Sequence, residues 1–176
     1  MGDVFKEQIV KRQSTSKDMA IRVCLFVAVF MLGFVAILFA GGAVGVIVMF
    51  AGGFGAFYLM GFLNVEYEYV FTNGELDIDV IYDRSRRKRV FSANVKDFEI
   101  MAHVEDRTHE HSFSAVQEVL DYSSGIVGLE SYAFIATQKG KKSKIIIEPN
   151  EKMLKAISGV LTRRKFHPRP GVVLTP

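Results

Sequence analysis

Two clusters of charged side chains carry residue types that are able to do chemistry. The first gathers imidazole and carboxylate groups within nine residues: His103, Glu105, Asp106, His109, Glu110 and His111. Such groups ligate zinc or manganese. The cluster contains no cysteine and lacks the His-Glu-x-x-His spacing that places two imidazoles on one helical face. We therefore expect a polar loop and no metal ligands here, with a metal-dependent enzyme as the alternative.

The second cluster is the densest group of positive charges in the chain, and it comprises Arg84, Arg86, Arg87, Lys88 and Arg89. Basic residues near a membrane surface attract anionic lipid headgroups, each contributing about 1 kcal/mol. A solvated hairpin loop is the simpler interpretation, because basic runs are common on protein surfaces. The same two interpretations apply to a second basic group, which consists of Lys139, Lys141, Lys142 and Lys144.

Other chemistries find no support in the sequence. The segment Ser123-Ser124-Gly125 lacks the glycine elbow that presents a nucleophilic serine. The net charge is only +3, so the composition does not indicate nucleic-acid binding. Cys24 is the single cysteine, which excludes a disulfide within the chain. We expect neither catalytic activity nor a cofactor.

The elements that position these clusters begin with a long apolar run. Residues 23–63 contain no Asp, Glu, Lys, Arg or His. One helix of this length would be roughly twice too long for a bilayer core of about 30 Å. Gly41 and Gly42 lie at the midpoint and allow a tight reversal. The run therefore predicts two transmembrane helices, at about 21–40 and 43–63.

Basic residues near the helix ends predict the orientation. Those before the first span are Lys6, Lys11, Arg12, Lys17 and Arg22, whereas the reversal carries no charge. Positive residues stay in the cytoplasm, and an even number of spans returns the chain to the same side. We expect a multi-pass protein of the cell membrane with both termini cytoplasmic. In segment 1–20, the spacing of Val4, Phe5, Gln8 and Ile9 favours an interfacial helix or an extension of the first span.

Glycines are dense in the two spans, and Gly41, Gly45, Gly52 and Gly55 fall at positions that suit close helix packing. Contact between the two spans of one chain is the simpler interpretation. Packing between chains, giving a homo-oligomer, is the alternative. The apolar run of residues 23–63 contains no charged residue, which argues against a transporter.

After residue 63 the pattern changes to that of strands. Alternating apolar residues on both sides of Asn73-Gly74 predict a β-hairpin, and segments 131–137 and 143–148 predict another. Asn150 suits the N-cap of an amphipathic helix over 151–164. Series of antiparallel hairpins favour an α+β fold: the transmembrane hairpin, then an antiparallel β barrel or sandwich over 64–166 closed by the C-terminal helix, then a tail at 167–176.

This plan resembles a known family. The two spans, the segment 66–76 with its Asn73-Gly74 turn, and the strand-to-helix step at 145–151 look like those of bacterial two-span membrane proteins with a C-terminal pleckstrin-homology-like domain. The resemblance covers nearly the whole chain. Because its motifs are patterns of hydrophobicity and turns, it implies a fold and no catalytic residues.

The resemblance implies a membrane-anchored cytoplasmic binding or scaffold module. Its expected partners are membrane lipids, particularly anionic ones, or a protein. Two alternatives come from other classes: a membrane-bound enzyme with a metal site in the histidine-rich segment, and a structural oligomer packed through the glycine-rich spans.

Overall fold

The computed structural model describes residues 4–114, 116–126, 130–138 and 140–169. It contains four α-helices and nine strands within these residues: β1 (Phe5–Lys11), α1 (Ser16–Ala40), α2 (Gly42–Gly61), β2 (Val65–Thr72), β3 (Glu75–Tyr82), β4 (Arg86–Asn94), β5 (Met101–His103), α3 (Glu110–Ser114), β6 (Glu118–Asp121), β7 (Tyr132–Gln138), β8 (Lys141–Ile147), α4 (Glu151–Val160) and β9 (Phe166–His167). The chain divides into two compact units. The β unit comprises Met1–Arg12, Glu66–Ile81 and Arg86–Pro176, and the helical unit comprises Gln13–Val65 and Tyr82–Ser85.

Strand β1 corrects the expectation for the N-terminal segment. We predicted a helix there, but β1 pairs antiparallel with β2 along its whole length, from Phe5 opposite Thr72 to Lys11 opposite Glu66. The Gln8 side chain fixes the strand further, since its Nε2 donates to the Glu148 carbonyl and its Oε1 accepts from the Asn150 N–H, both at 2.7 Å. The apolar residues Phe5 and Ile9 that suggested a helix are exposed.

The same pairing corrects the predicted boundary of the β domain at residue 64. The β unit also contains residues from before the helices. Helices α1 and α2 are therefore an insertion between two neighbouring strands of one sheet, and β1 and β2 leave the sheet at the same end.

The first sheet has the order β1-β2-β3-β4. The predicted Asn-Gly hairpin is confirmed: Asn73 and Gly74 join β2 to β3 with φ of 51° and 97°, as a type I′ turn requires. The next turn repeats this backbone with less suitable residues, because Asp83 and Arg84 have φ of 48° and 55°.

The second sheet has the order β6-β8-β7-β5-β9. The predicted hairpin of β7 and β8 is confirmed. Strand β6, which follows α3, pairs parallel with β8. The described residues thus form two sheets and not the closed barrel that was one of our two expectations. The sheets meet through aromatic rings: the Phe134 ring meets the Phe91 ring edge to face at 5.6 Å and stacks on the Phe98 ring at 4.1 Å, centroid to centroid.

Helix α4 begins where the sequence predicted. The Asn150 side chain accepts from the Met153 N–H at 2.8 Å, and Met153, Leu154 and Ile157 are buried. The helix ends at Val160, four residues before the predicted end. That it closes one end of the β domain stays a prediction.

Helices α1 and α2 follow the predicted spans closely, although α1 begins earlier, at Ser16. Thr15 and Asp18 form a capping box at that start. Large apolar side chains on both helices are exposed, including Phe39 at 87% and Phe54 at 79%. The core helix of a soluble protein would bury these side chains. Both helices therefore suggest association with a membrane.

The four glycines expected to serve helix packing lie in different surroundings. A Cβ at Gly45 would lie 2.1 Å from Ile37 Cγ1, and one at Gly52 would lie 3.2 Å from Val29 Cγ1, so both glycines face α1. Gly41 instead forms the turn between the helices, with φ of 89°. A Cβ at Gly55 would meet no atom of the described residues within 4 Å, so Gly55 does not pack closely against any of them.

Candidate ligand groove beside the basic strand

The basic cluster follows one edge of the first sheet. Arg84 lies in the turn before β4 and belongs to the helical unit, whereas the other four cations lie on β4 itself, in the β unit. The cluster was predicted as a loop. It is instead a strand, and because β4 is the last strand of its sheet, the cations line an edge.

Two of these cations are held by carboxylates of the same sheet. Arg87 Nη2 lies 2.6 Å from Glu68 Oε1. Arg89 contacts two acids of β3, with Nε 3.0 Å from Asp79 Oδ1 and Nη1 3.0 Å from Asp77 Oδ2. Arg87 and Arg89 thus serve the packing of the sheet, although both side chains remain about half exposed to solvent.

Glu68 is an unusual partner because its side chain is only 2% exposed. Burial raises the pKa of this carboxyl, Arg87 opposes that shift, and the neighbouring carboxylate of Glu7 on β1 adds to it. The Glu68 Oε2 atom is buried without a hydrogen-bond partner. Arg87 is therefore the cation that compensates a buried negative charge.

Lys88 lies in a different environment, at an open groove of about 580 Å³ between β4 and β6. We call it the edge groove. It is lined by Lys88, Arg89, Val90, Phe91, Ser92, Glu118, Leu120, Tyr122, Gln138 and Lys141. Both β4 and β6 are terminal strands of their sheets. Gln138 Nε2 donates to the Val90 carbonyl at 2.5 Å and joins β4 to the second sheet.

The edge groove combines features that suit an anionic ligand with an extended backbone. Terminal strands present unpaired main-chain donors and acceptors. Lys88 and Lys141 supply positive charge, and Leu120 and Tyr122 supply an apolar wall. Sequence analysis named Lys88, Arg89 and Lys141 but did not predict that they share a groove, because its lining residues come from β4, β6 and the β7–β8 hairpin and share no local motif.

The second basic group does not form one patch. Lys141 lines the edge groove. Lys142 pairs with Glu99 Oε1 at 2.7 Å, and Lys144 Nζ lies 5.0 Å from the centre of the Phe113 ring. Lys139 lies outside the described residues.

The residues of the histidine-rich cluster also lie in different surroundings. His103 is buried against the Tyr132 ring, and its Nδ1 accepts from the Glu105 N–H at 3.2 Å. His109 Nδ1 lies 2.9 Å from Asp106 Oδ2, and its ring stacks on His167 at 3.7 Å.

The surroundings of His167 favour its neutral form, because burial and the nearby His109 both lower its pKa. No group of three metal-binding side chains occurs in the part of the chain that the structure describes.

Comparison with known proteins gives one result. The family described as Bacterial PH-like domain (DUF6106) matches residues 2–167. Searches of curated proteins and of solved structures found no significant match. The matched residues include β1, both helices and both sheets, so the family pattern contains the helical insertion. A PH-like domain suggests a binding or scaffold module. This chain therefore belongs to the family of bacterial PH-like domains.

Proposed function

We propose that the chain is a membrane-anchored binding module without catalytic activity, whose two helices span the cell membrane and whose β unit lies in the cytoplasm. The observation that carries this proposal is the pairing of β1 with β2 across the helical insertion. Strands of one sheet lie on one side of a membrane, so both ends of the insertion must lie there too. Two exposed apolar helices in series satisfy that requirement.

The charge distribution supports the cytoplasmic side. Lys17 and Arg22 lie at the start of α1, while the turn at Gly41 and Gly42 carries no charge. Positively charged flanks are retained in the cytoplasm.

Labelling of single cysteines in cells tests this arrangement. In a Cys24→Ser background, we expect Lys6→Cys on β1 and Lys152→Cys on α4 to react with a membrane-impermeant maleimide only after permeabilisation. Gly42→Cys should react in intact cells, because it lies in the turn at the opposite helix ends. Labelling of Lys152→Cys in intact cells, or opposite behaviour of the two β-unit cysteines, would contradict the proposal.

For the ligand, we propose an acidic, extended segment of a protein partner, bound in the edge groove. The two terminal strands favour a peptide, since an added strand forms main-chain hydrogen bonds with such an edge. Lys88 and Lys141 favour acidic side chains. A headgroup of an anionic lipid is the competing ligand and becomes an outcome of the test.

The test uses the full chain in nanodiscs of neutral lipid and a fluorescent peptide of alternating Glu and Val. We expect the double variant Lys88→Gln and Lys141→Gln to weaken peptide binding by about fivefold to tenfold, as two lost charge contacts predict. The control is Lys152→Gln with Lys155→Gln on α4, which makes the same change in charge. Equal weakening by both doubles, or binding of anionic lipid but not of the peptide, would contradict the peptide site.

A further inference from the structure

We infer that the helical unit holds a second binding site, for the headgroup of a zwitterionic phospholipid with a primary ammonium. The site is a cleft of about 270 Å³ where α2 ends, and we call it the helix-end cleft. It is lined by Arg22, Phe57, Met60, Gly61, Asn64 and Asp83. This inference rests on the proposed membrane anchorage and is independent of the ligand in the edge groove.

The polar side of the cleft carries one cation and one anion held apart by an amide. Arg22 Nη2 donates to Asn64 Oδ1 at 3.2 Å, and Asn64 Nδ2 donates to Asp83 Oδ1 at 3.4 Å. A guanidinium has five N–H donors, and a carboxylate accepts at two oxygens. Both charged groups therefore keep capacity for a ligand with a negative and a positive end, such as phosphate and ammonium.

The negative charges at the end of α2 would stabilise a cation beside Asp83. A helix C-terminus carries a partial negative charge, and the last turn of α2 contains no basic residue. Asp83 adds a full negative charge there: its Oδ2 would lie 3.2 Å from a Cβ at Gly61, so any larger residue at that position would crowd this approach. A ligand ammonium beside Asp83 would offset both charges.

The backbone conformation at Asp83 also supports a functional role for this turn. Asp83 and Arg84 both adopt left-handed conformations, which Asn73 and Gly74 occupy more easily at the preceding hairpin of the sheet. The Asp83 N–H donates to the Asn64 carbonyl at 2.9 Å, which holds the turn against the end of the helix. Left-handed non-glycine residues cluster at functional sites, because the strain is kept where a side chain is needed.

The remaining walls indicate that the headgroup belongs to a lipid. Phe57 is 75% exposed, and it lines the cleft together with Met60, on the side of the exposed apolar helix. Acyl chains and the glycerol region of a phospholipid would cover these side chains, whereas soluble phosphoethanolamine would leave them in water. A phosphatidylethanolamine-type lipid therefore fits better than its free headgroup.

Native mass spectrometry of the full chain in detergent tests the inference. Phosphatidylethanolamine, phosphatidylcholine and phosphatidylglycerol with identical acyl chains are titrated separately. We expect phosphatidylethanolamine to bind about fivefold more tightly than the other two, and Asp83→Asn to remove that preference without weakening phosphatidylglycerol. Arg22→Gln should weaken all three lipids, because each contains a phosphate. Soluble glycerophosphoethanolamine should not compete at the same concentration.

Glu75→Gln is the matched control, since it removes an exposed negative charge from the other end of β3. Circular dichroism verifies that each variant keeps its helix content. Equal binding of the three lipids, an unchanged preference in Asp83→Asn, or the same loss in Glu75→Gln would overturn the inference. If cysteine labelling supports the two spans while lipid preference is absent, only this inference fails and the anchorage stands.

Discussion

A soluble protein made of residues 64–176 alone is expected not to unfold cooperatively, although it contains every predicted strand and helix of the β domain. Without β1, strand β2 loses a neighbour along its whole length, and the buried side chain of Val10 is missing. Residues 1–12 joined by a short Gly-Ser linker to 66–176 should restore a cooperative transition. Thermal unfolding followed by circular dichroism compares the two proteins.

Single variants in the joined protein refine this test. Gln8→Ala should lower the free energy of unfolding by about 2 kcal/mol, because two hydrogen bonds to the segment before α4 are lost. Lys6→Ala, at an exposed position of the same strand, should have little effect. If residues 64–176 alone unfold cooperatively at the same temperature as the joined protein, β1 is dispensable for the β unit and our description of it is wrong.

Loss of Arg87 should be the most damaging change in the basic cluster. Arg87→Ala leaves the buried Glu68 carboxylate without its cation. We expect a loss of about 2–3 kcal/mol in the free energy of unfolding, less than for a fully buried pair because Arg87 remains half exposed. Lys88→Ala, the neighbouring residue on β4, should cost under about 0.5 kcal/mol. Urea unfolding of the joined soluble protein measures both.

The pH dependence of stability tests whether the loss in Arg87→Ala comes from the Glu68 carboxylate. Burial raises the pKa of Glu68 above its ordinary value, so the folded protein binds the proton more tightly than the unfolded chain. Stability then falls as pH rises through the interval above that value. Without Arg87 the pKa rises further, and the deficit of Arg87→Ala should be largest near neutral pH and shrink on acidification. Glu68→Gln should rescue most of the deficit; a loss independent of pH and of Glu68 would contradict the pairing.

These expectations also decide which cations are suitable for binding experiments at the edge groove. An alanine variant that removes Arg87 disturbs the fold and the charge together, so weaker binding could not be assigned to either. Lys88 and Lys141 line the groove, and no buried carboxylate depends on them in the described contacts. They are therefore the better pair for binding experiments.

Local signals predicted the parts of the fold whose partners are close in sequence. Asn73-Gly74 predicted a hairpin, Asn150 predicted the start of a helix, and the uncharged run predicted two helices. Strand β1 was not predicted, because its partner strand lies beyond both helices in the sequence and because the spacing of Phe5 and Ile9 is typical of a helix.

The candidate sites were less predictable for the same physical reason. The edge groove draws on two sheets, and His109 stacks on His167 from a segment 58 residues away. In the helix-end cleft, Arg22 comes from α1 and Asp83 from the turn between β3 and β4, and Asn64 joins them. The density of charge in the sequence led us to predict that Arg87 binds a ligand. Its contact with Glu68 could be predicted only from the strand pairing.

The position of the helices between β1 and β2 also has a consequence for how the protein is made. During synthesis β1 emerges first, but its partner strand emerges only after both apolar helices have left the ribosome. In the proposed arrangement, a chain that inserts only one of the two helices would leave the two strands on opposite sides of the membrane and the edge of β2 open. Such an edge is a template for aggregation and a target for proteases. Completion of the first sheet would thus distinguish chains in which both helices have inserted from chains in which only one has.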